Sequence, residues 1–445
     1  MPDPTENLGN PWMTWCFKRA GRLDCSDHTR IYASAYGCLG WVRDGDCMRE
    51  APGVEASKRI DFPQGSEGAV AHELQQQVDY IRAALEQEKK PLGFLIGAGA
   101  PMSMRPNGVP LIPGLEELTA KVKTDVDPVY ATAIDTLIGH LDPKDAMNLE
   151  ALLNYVRSLA ALPGSSDIRG VSVDVLSDLD AEICRVVRTH VDQSLPPGDN
   201  PYFALALWVS AVRRIVPTQI FTTNYDLLME QALERQRVAY FDGFMGSREP
   251  SFDLQAIEED QLPNRWTLLW KLHGSINWSQ DPDGNVVRRP ADANDASSAL
   301  VYPSHLKYDQ SRRLPYLAMM DRLKAFMRKP GAILITTGFS FRDQHINEVI
   351  DQSLRANPTA SVHGLLFGSL SNYEDAVALA KGLPNLILLA ENAAVVGSVS
   401  SPWSSTDSEE DKSPSTKFTL GDFTELGKLL RSLTGELPHK DSADE

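Results

Sequence analysis

Long apolar runs are the first thing this chain lacks. No stretch approaches the ~18 consecutive apolar residues that a membrane span needs. No charged-then-apolar leader opens it either. The expectation is therefore a cytoplasmic protein without membrane contact. Basic charge is also short: 60 Asp and Glu against 43 Lys and Arg leave a net charge of −17 across 445 residues. A general nucleic-acid binder neutralises phosphates with clustered cations, so direct general binding of nucleic acid is not expected, although one local basic patch stays open. Cysteine is scarce and poorly spaced for metal. Cys16, Cys25, Cys38 and Cys47 crowd the first fifty residues and Cys184 stands alone, with no C-x-x-C pair; isolated reduced thiols are the expectation. His305, His345 and His363 lie far apart without ligand spacing, so no metal is expected. There is no internal repeat and no Walker-type phosphate loop.

What is present is an ordinary globular composition, 42% hydrophobic and 23% charged, long enough for one large domain or two smaller ones. Residues 1–68 show no sustained period and read as a separate N-terminal segment: an accessory piece, an arm, or translation assigned too early. From Ala71 the pattern turns helical, with Leu74, Val78, Ile81 and Leu85 on one face. A helical insert is expected over about 113–216. It includes a helix capped by Asn148, and the stretches Val173 to Leu195 and Phe203 to Val216. Polar Asp281 to Ser298 reads as a surface loop. Beyond it, helices and strands alternate: Pro315 to Met327, Ala332 to Thr336, Gln344 to Leu354, Val362 to Phe367, Ser371 to Lys381, Asn385 to Leu389. Such alternation predicts an α/β fold with a doubly wound, Rossmann-like parallel sheet. The Ser-rich, acidic stretch 398–416 reads as a solvated loop, Asp422 to Leu433 as a last helix and 436–445 as a tail. The main domain is expected to run over 69–435.

Four short segments carry chemistry, and each follows a run that reads as a buried strand. Gly97-Ala98-Gly99-Ala100 follows Leu92 to Ile96; glycines at a strand-to-helix turn let backbone approach a diphosphate. The third glycine of a full dinucleotide fingerprint is missing near Met102. Thr223-Asn224-Tyr225-Asp226 follows Gln219 to Phe221, and His273-Gly274-Ser275 follows Leu268 to Lys271. Gly338-Phe339-Ser340-Phe341-Arg342-Asp343 follows Ile333 to Thr336. Ligands of open parallel sheets bind beyond the carboxyl ends of the strands, so these groups point to a reaction centre.

In this order the four segments resemble the motif series of the sirtuin family. Ile220 to Asp226, Lys271 to Ser275, Val301-Tyr302-Pro303 and Gly338 to Asn347 are more narrowly similar to its prokaryotic antiviral-defence branch. The resemblance spans about residues 70–435. It implies NAD as substrate and hydrolysis to nicotinamide and ADP-ribose. It also implies a homo-oligomer and a possible HerA-type ATPase partner on another chain. Protein-deacetylating sirtuins carry a four-cysteine zinc ribbon between the His-Gly and Gly-Ser motifs; Ser275 to Thr337 holds no cysteine, so no zinc ribbon is expected here.

The resemblance assigns catalytic roles to Asn224, His273 and Asp226. Gly97, Ala98, Gly99, Ala100, Thr223, Gly338 and Ser340 fall to cofactor contact. The chemistry of the groups fits. A histidine with an unperturbed pKa of about 6.5 is expected to be neutral at cellular pH and to accept a proton. An Asn amide can bond both a ribose hydroxyl and a water, and Asp226 could orient the nicotinamide carboxamide or Asn224. Each has a plainer reading: His273 as a turn residue, Asn224 or Asp226 as a helix cap, the glycines as a tight turn, Ser340 as an N-cap, Tyr302 and Pro303 as core. Ala100-Pro101 departs from the family's usual Ser, with Ser103 as a possible substitute. Two alternatives stay open: an NAD-dependent protein deacylase or ADP-ribosyltransferase, and a non-catalytic ADP-ribose or nucleotide sensor.

Overall fold

The computed structural model describes residues 29–33, 39–43, 71–162, 167–263, 265–280, 285–288, 315–404 and 417–435. Cys16, Cys25, Cys38, Cys47, Tyr302, Pro303, His305, most of 281–298, 405–416 and the tail 436–445 lie outside the described residues. The chain divides into two compact units, Met1–Glu67 and Gly68–Glu445. In the first, β1 (Thr29–Ala33) and β2 (Leu39–Arg43) pair antiparallel.

The second unit is built on a nine-stranded sheet. Its strands are β3 (Leu92–Ile96), β4 (Gln219–Thr222), β5 (Tyr240–Phe241), β8 (Thr267–Lys271), β11 (Ile333–Thr337), β12 (Ser361–Leu365), β13 (Leu386–Leu389), β14 (Ala393–Val396) and β15 (Val399–Pro402), ordered β15-β14-β13-β12-β11-β3-β4-β8-β5. The seven strands from β13 to β5 are parallel. They read as near-continuous apolar runs because both faces are covered, as parallel sheets require. Along β3 the side chains alternate between two cores: Leu92, Phe94 and Ile96 join one, Leu95 the other.

The helices are α1 (Leu74–Glu86), α2 (Gly99–Met102), α3 (Leu115–Asp125), α4 (Ala131–Ile138), α5 (Leu149–Ala160), α6 (Val173–Val191), α7 (Pro201–Ala211), α8 (Leu228–Arg235), α9 (Leu254–Glu258), α10 (Tyr316–Met327), α11 (Gln344–Ala356), α12 (Glu374–Lys381) and α13 (Phe423–Ser432). Asn148 caps α5 by accepting from the Glu150 and Ala151 amides. One core lies under α1, α7, α13 and the helical insert, the other under α10, α11 and α12. Within the insert, α7 is itself a sheet-covering helix. Its Trp208 meets Phe94 of β3 edge-on at 5.6 Å, and its Tyr202 meets Phe423 of α13 at 5.1 Å. Each such fully buried side chain stabilises the fold by about 1.5–3 kcal/mol.

Two sequence expectations are corrected. The stretch from Ser398 is not a loop at its start: Gly397 and Ser398 both take positive φ, 56° and 68°. Two successive positive-φ residues are the conformation of a tight hairpin turn, and β15 returns antiparallel to β14. Its outer edge is occupied by His72, whose amide donates to Pro402 O at 3.1 Å and whose carbonyl accepts from Ser404 N at 2.9 Å. The stretch 281–298 is not wholly a loop either. β10 (Val286–Arg288) sits in a small antiparallel sheet with β6 (Phe244–Met245), β7 (Ser251–Phe252) and β9 (Trp278–Gln280). Buried Val286 and the Arg288–Asp242 ion pair outweigh the turn-forming residues before it.

The register is what builds the site. Thr337 pairs with Ile96, Ile96 with Thr222, and Thr222 with Lys271. Four strands thus end level, and the loops after β11, β3, β4 and β8 leave the sheet side by side. The chain runs from β3 outward to β4 and β8, then restarts on the other flank at β11. The switch point of the sheet lies between β3 and β11, where open parallel sheets place ligands.

Candidate active site

At that switch point two glycine loops interlock. The Gly97 amide donates to Thr337 O at 3.0 Å and the Gly99 amide to Gly338 O at 2.8 Å. A Cβ on Gly97 would stand 2.5 Å from Gly338 O. One on Gly338, whose φ is +61°, would stand 2.2 Å from Ala100 N. Glycine is required here for backbone-to-backbone contact, and the Gly97 and Gly99 amides are already engaged. Ala98, the exposed residue of the loop, presents its face outward, while Ala100 is buried. The Ser103 hydroxyl donates to Ala100 O at 2.8 Å. Ser340 is exposed, and Phe341 beside it holds a positive φ of 58°.

The second loop is pinned to the first. The Thr223 amide donates to Ile96 O at 3.1 Å. Asn224, 8% exposed, donates from Nδ2 to Gly97 O at 3.1 Å, and its amide donates to Thr222 Oγ1 at 3.0 Å. Its Oδ1 has no hydrogen-bond partner among the described residues, nor does the hydroxyl of Thr337 or of Ser275 nearby in sequence register. A buried acceptor left open is costly, and here it belongs to a side chain whose other end is fixed.

Asp226 takes the capping position read as its plainer role. Its Oδ1 accepts from the Leu228 amide at 3.0 Å, at the start of α8. Burial raises its carboxyl pKa, offset by Lys271, by the Leu228 amide and by the Asn224 side chain. Lys271 and Glu230 are the residues sequence reasoning missed. Lys271 is 2% exposed. Its ammonium donates to the Tyr225 carbonyl at 3.4 Å, to the Asp226 carbonyl and to Glu230 Oε1 at 3.0 Å. This buried pair clamps the Asn224 loop from behind. The one sequence signal for it is a lone Lys closing the strand run Thr267 to Lys271, two residues before the histidine.

His273 overturns one expectation. Its Nε2 lies 2.8 Å from Asp343 Oδ2 and its Nδ1 3.5 Å from Glu150 Oε1. Burial pushes its pKa down, but the bonds to Asp343 and Glu150 prevail and raise it to about 10. Two carboxylates, which no local pattern in the sequence joins to the ring, thus favour its cationic form over the neutral imidazole its reference pKa suggests. Asp343 caps α11, accepting from the Ile346 amide at 3.1 Å. Glu150 stands in the first turn of α5 and also accepts from the Tyr225 hydroxyl at 3.3 Å. The helical insert touches the site again through Arg188, which donates to Ile276 O at 2.9 Å.

The structure thus gathers Gly97, Gly99, Thr223, Asn224, Asp226, His273 and Gly338 at one sheet edge. His363 lies apart on β12, its pKa lowered by burial to about 4, with Ser361 Oγ at 3.3 Å. Among the described residues, no three His, Cys, Asp or Glu side chains converge as a metal set. No described helix is long and apolar enough to cross a membrane.

A family model for the SIR2-like domain matches residues 218–381, a span that holds Asn224, His273 and Gly338 but not the Gly97 loop. No curated protein matches the chain. Among solved structures, a Sir2 homologue mutant in complex with ADP-ribose is 13% identical, with a TM-score of 0.33 over 81% of this chain and 98% of that one. A Sir2 homologue–NAD complex is 14% identical, with a TM-score of 0.31 over 83% of this chain and all of that one, 100%. At such scores the architecture of this chain rests on its own strand order and register.

Proposed function

We propose that this chain is an NAD hydrolase that cleaves the nicotinamide–ribose bond to give nicotinamide and ADP-ribose. The observation that carries the reading is the level ending of β11, β3, β4 and β8, which sets the glycine loops, the open Oδ1 of Asn224 and the ring of His273 around one edge. The SIR2-like match over 218–381 supports it. In the proposed reaction the C1′–N bond breaks and its electron pair leaves with the nicotinamide ring nitrogen. Water bonds to C1′ and gives up one proton. Asn224 would hold the water or a ribose hydroxyl through Oδ1, and His273 would receive the proton once its ring has lost its own. Asp226 supports Asn224 rather than meeting substrate.

Water is the proposed acceptor because Ser275 to Thr337 contains no cysteine, hence no zinc ribbon to wall in an acylated peptide. Depletion of a central cofactor must be gated. The proposal therefore extends to an antiviral-defence effector, in the cytoplasm, working as a homo-oligomer with a HerA-type ATPase on another chain. The histidine held as a cation between two carboxylates fits a resting state of such an enzyme.

The test is nicotinamide release from NAD by the purified chain, alone and with its genomic-neighbour protein, against Asn224→Ala and His273→Ala. Peptide-independent release lost in both variants, with nucleotide still bound, supports the hydrolase. Release only with an acylated peptide or acceptor protein would make it a deacylase or ADP-ribosyltransferase. Bound nucleotide without release under any condition would make it a sensor.

A further inference from the structure

We propose that Asp343 is a positioning residue for His273, holding the Nε2 side of the ring so that Nδ1 is the nitrogen presented to a hydroxyl or water. The inference rests on the reading of His273 as the base. Its ground is the inequality of the two carboxylates.

Asp343 is fixed. Its Oδ2 lies 2.8 Å from Nε2, its Oδ1 accepts the Ile346 amide at 3.1 Å, and its side chain is 16% exposed. A carboxylate at a helix N-terminus is held ionised by the exposed amides there. Burial raises its pKa, but the His273 contact and the Ile346 amide leave it lowered overall. Glu150 is the looser partner. It stands 3.5 Å from Nδ1, shares the same oxygen with the Tyr225 hydroxyl, and is 33% exposed on a longer side chain. A ligand arriving at the ring displaces the longer, more exposed contact. The Nδ1 contact is exchangeable and the Nε2 contact permanent.

The other charged groups facing this pair do not alter the assignment. His345 acts on Asp343 in the same sense as His273. Lys271, two residues back on β8, is turned to Glu230 and the Tyr225 and Asp226 carbonyls. Tyr225 meets the ring at 6.4 Å between centroids and spends its hydroxyl on Glu150.

Proton accounting is simple. The ring first loses its Nδ1 proton to solvent as Glu150 withdraws, leaving Nε2–H donated to Asp343. Nδ1 then accepts the proton of the attacking water or of a ribose hydroxyl, and the imidazolium returns it to solvent. Asp343 stays ionised throughout.

A helix cap alone would explain Asp343 without any bearing on the histidine. Asn caps as well as Asp, so Asp343→Asn keeps the cap and removes the charge. The experiment is a ¹⁵N NMR titration of His273 in the full chain, read for pKa and for tautomer. The expected result is a fall of at least tenfold in proton affinity in Asp343→Asn. Wild type and Glu150→Gln should both show the Nε2–H tautomer on deprotonation. An unmoved titration in Asp343→Asn, or a tautomer that switches in Glu150→Gln, overturns the proposal. Asp343→Glu should restore part of the shift, whereas a capping role alone would not move the titration at all.

In turnover of NAD, Asp343→Asn should lower the high-pH plateau of kcat at least tenfold with little change in KM. It should also carry the rising limb of the pH profile to lower pH, because a weaker base loses its proton sooner. The NMR arms need no turnover. If wild type releases no nicotinamide, the hydrolase reading fails while the titration still decides the role of Asp343.

Discussion

Replacing Lys271 by Met keeps the length of the side chain and removes its charge. Glu230 is then left as a carboxylate in a site where burial already raises its pKa and Lys271 is the main group lowering it. The Asp226 carbonyl also loses its donor, whereas the Tyr225 carbonyl keeps one, the Ile276 amide at 3.0 Å. Breaking one half of a buried ion pair costs about 3–5 kcal/mol, a large part of the roughly 5–15 kcal/mol by which a domain is stable. Replacing both halves with apolar groups is often near neutral. Lys271→Met with Glu230→Leu should therefore cost only the unmet Asp226 carbonyl, about 1–3 kcal/mol, despite carrying two substitutions. The pH dependence follows from the sign of the Glu230 shift. A carboxyl whose folded pKa is raised destabilises the fold when ionised and ceases to do so as pH falls and it takes up a proton. The single variant should therefore regain stability relative to wild type as pH falls. Urea unfolding followed by tryptophan fluorescence gives the three stabilities. A cost below about 1 kcal/mol for Lys271→Met, or one that does not shrink on acidification, would refute the clamp.

Three further outcomes are expected. The His273 pKa of about 10 in the fold lies above its unfolded value of roughly 6.5. The stability this confers is fully present below about pH 6.5 and fades as pH rises towards 10, on the order of 4–5 kcal/mol at most. The stability difference between wild type and His273→Gln in urea should shrink across that window, and a constant difference would refute the ion pairing. Gly338→Ala sets a methyl group 2.2 Å from the Ala100 nitrogen at a φ of +61°. A loss of about 3 kcal/mol or more is expected, and a thermal midpoint equal to that of wild type would show that the glycine loops do not interlock. Asn148→Ala removes the acceptor for two amides of α5 and should cost about 1 kcal/mol. Hydrogen exchange should quicken first at Glu150 and Ala151; uniform protection would contradict the cap.

The parallel sheet was legible because its strands are short, apolar and followed by helices with one buried face. The runs Leu268 to Lys271 and Ala332 to Thr336 lie within a residue of the observed limits, Thr267–Lys271 and Ile333–Thr337. The Asn148 cap was equally plain, since an Asn before a helix-forming run has one dominant use. Strands β14 and β15 were not legible. Val399-Ser400-Ser401-Pro402 has almost no strand signal, and only its pairing with β14 makes it one. For the site, the motif order brought Asn224, His273 and both glycine loops to one edge correctly. What escaped was their electrostatics. Asp343 and Glu150 reach His273 from sequence distances that no local pattern bridges, so the ring looked neutral. Lys271 looked like the end of a strand because its partner Glu230 lies a helix away.

The rim of the sheet also bears on assembly. At one side β5 is only two residues long. At the other, β15 ends in Pro402 and is already covered by the backbone of His72. Among the described residues, neither border of this sheet offers a long row of free amides and carbonyls, the liability that exposed edges otherwise carry. At the described borders of this sheet, a further strand would find at most a short stretch of free backbone.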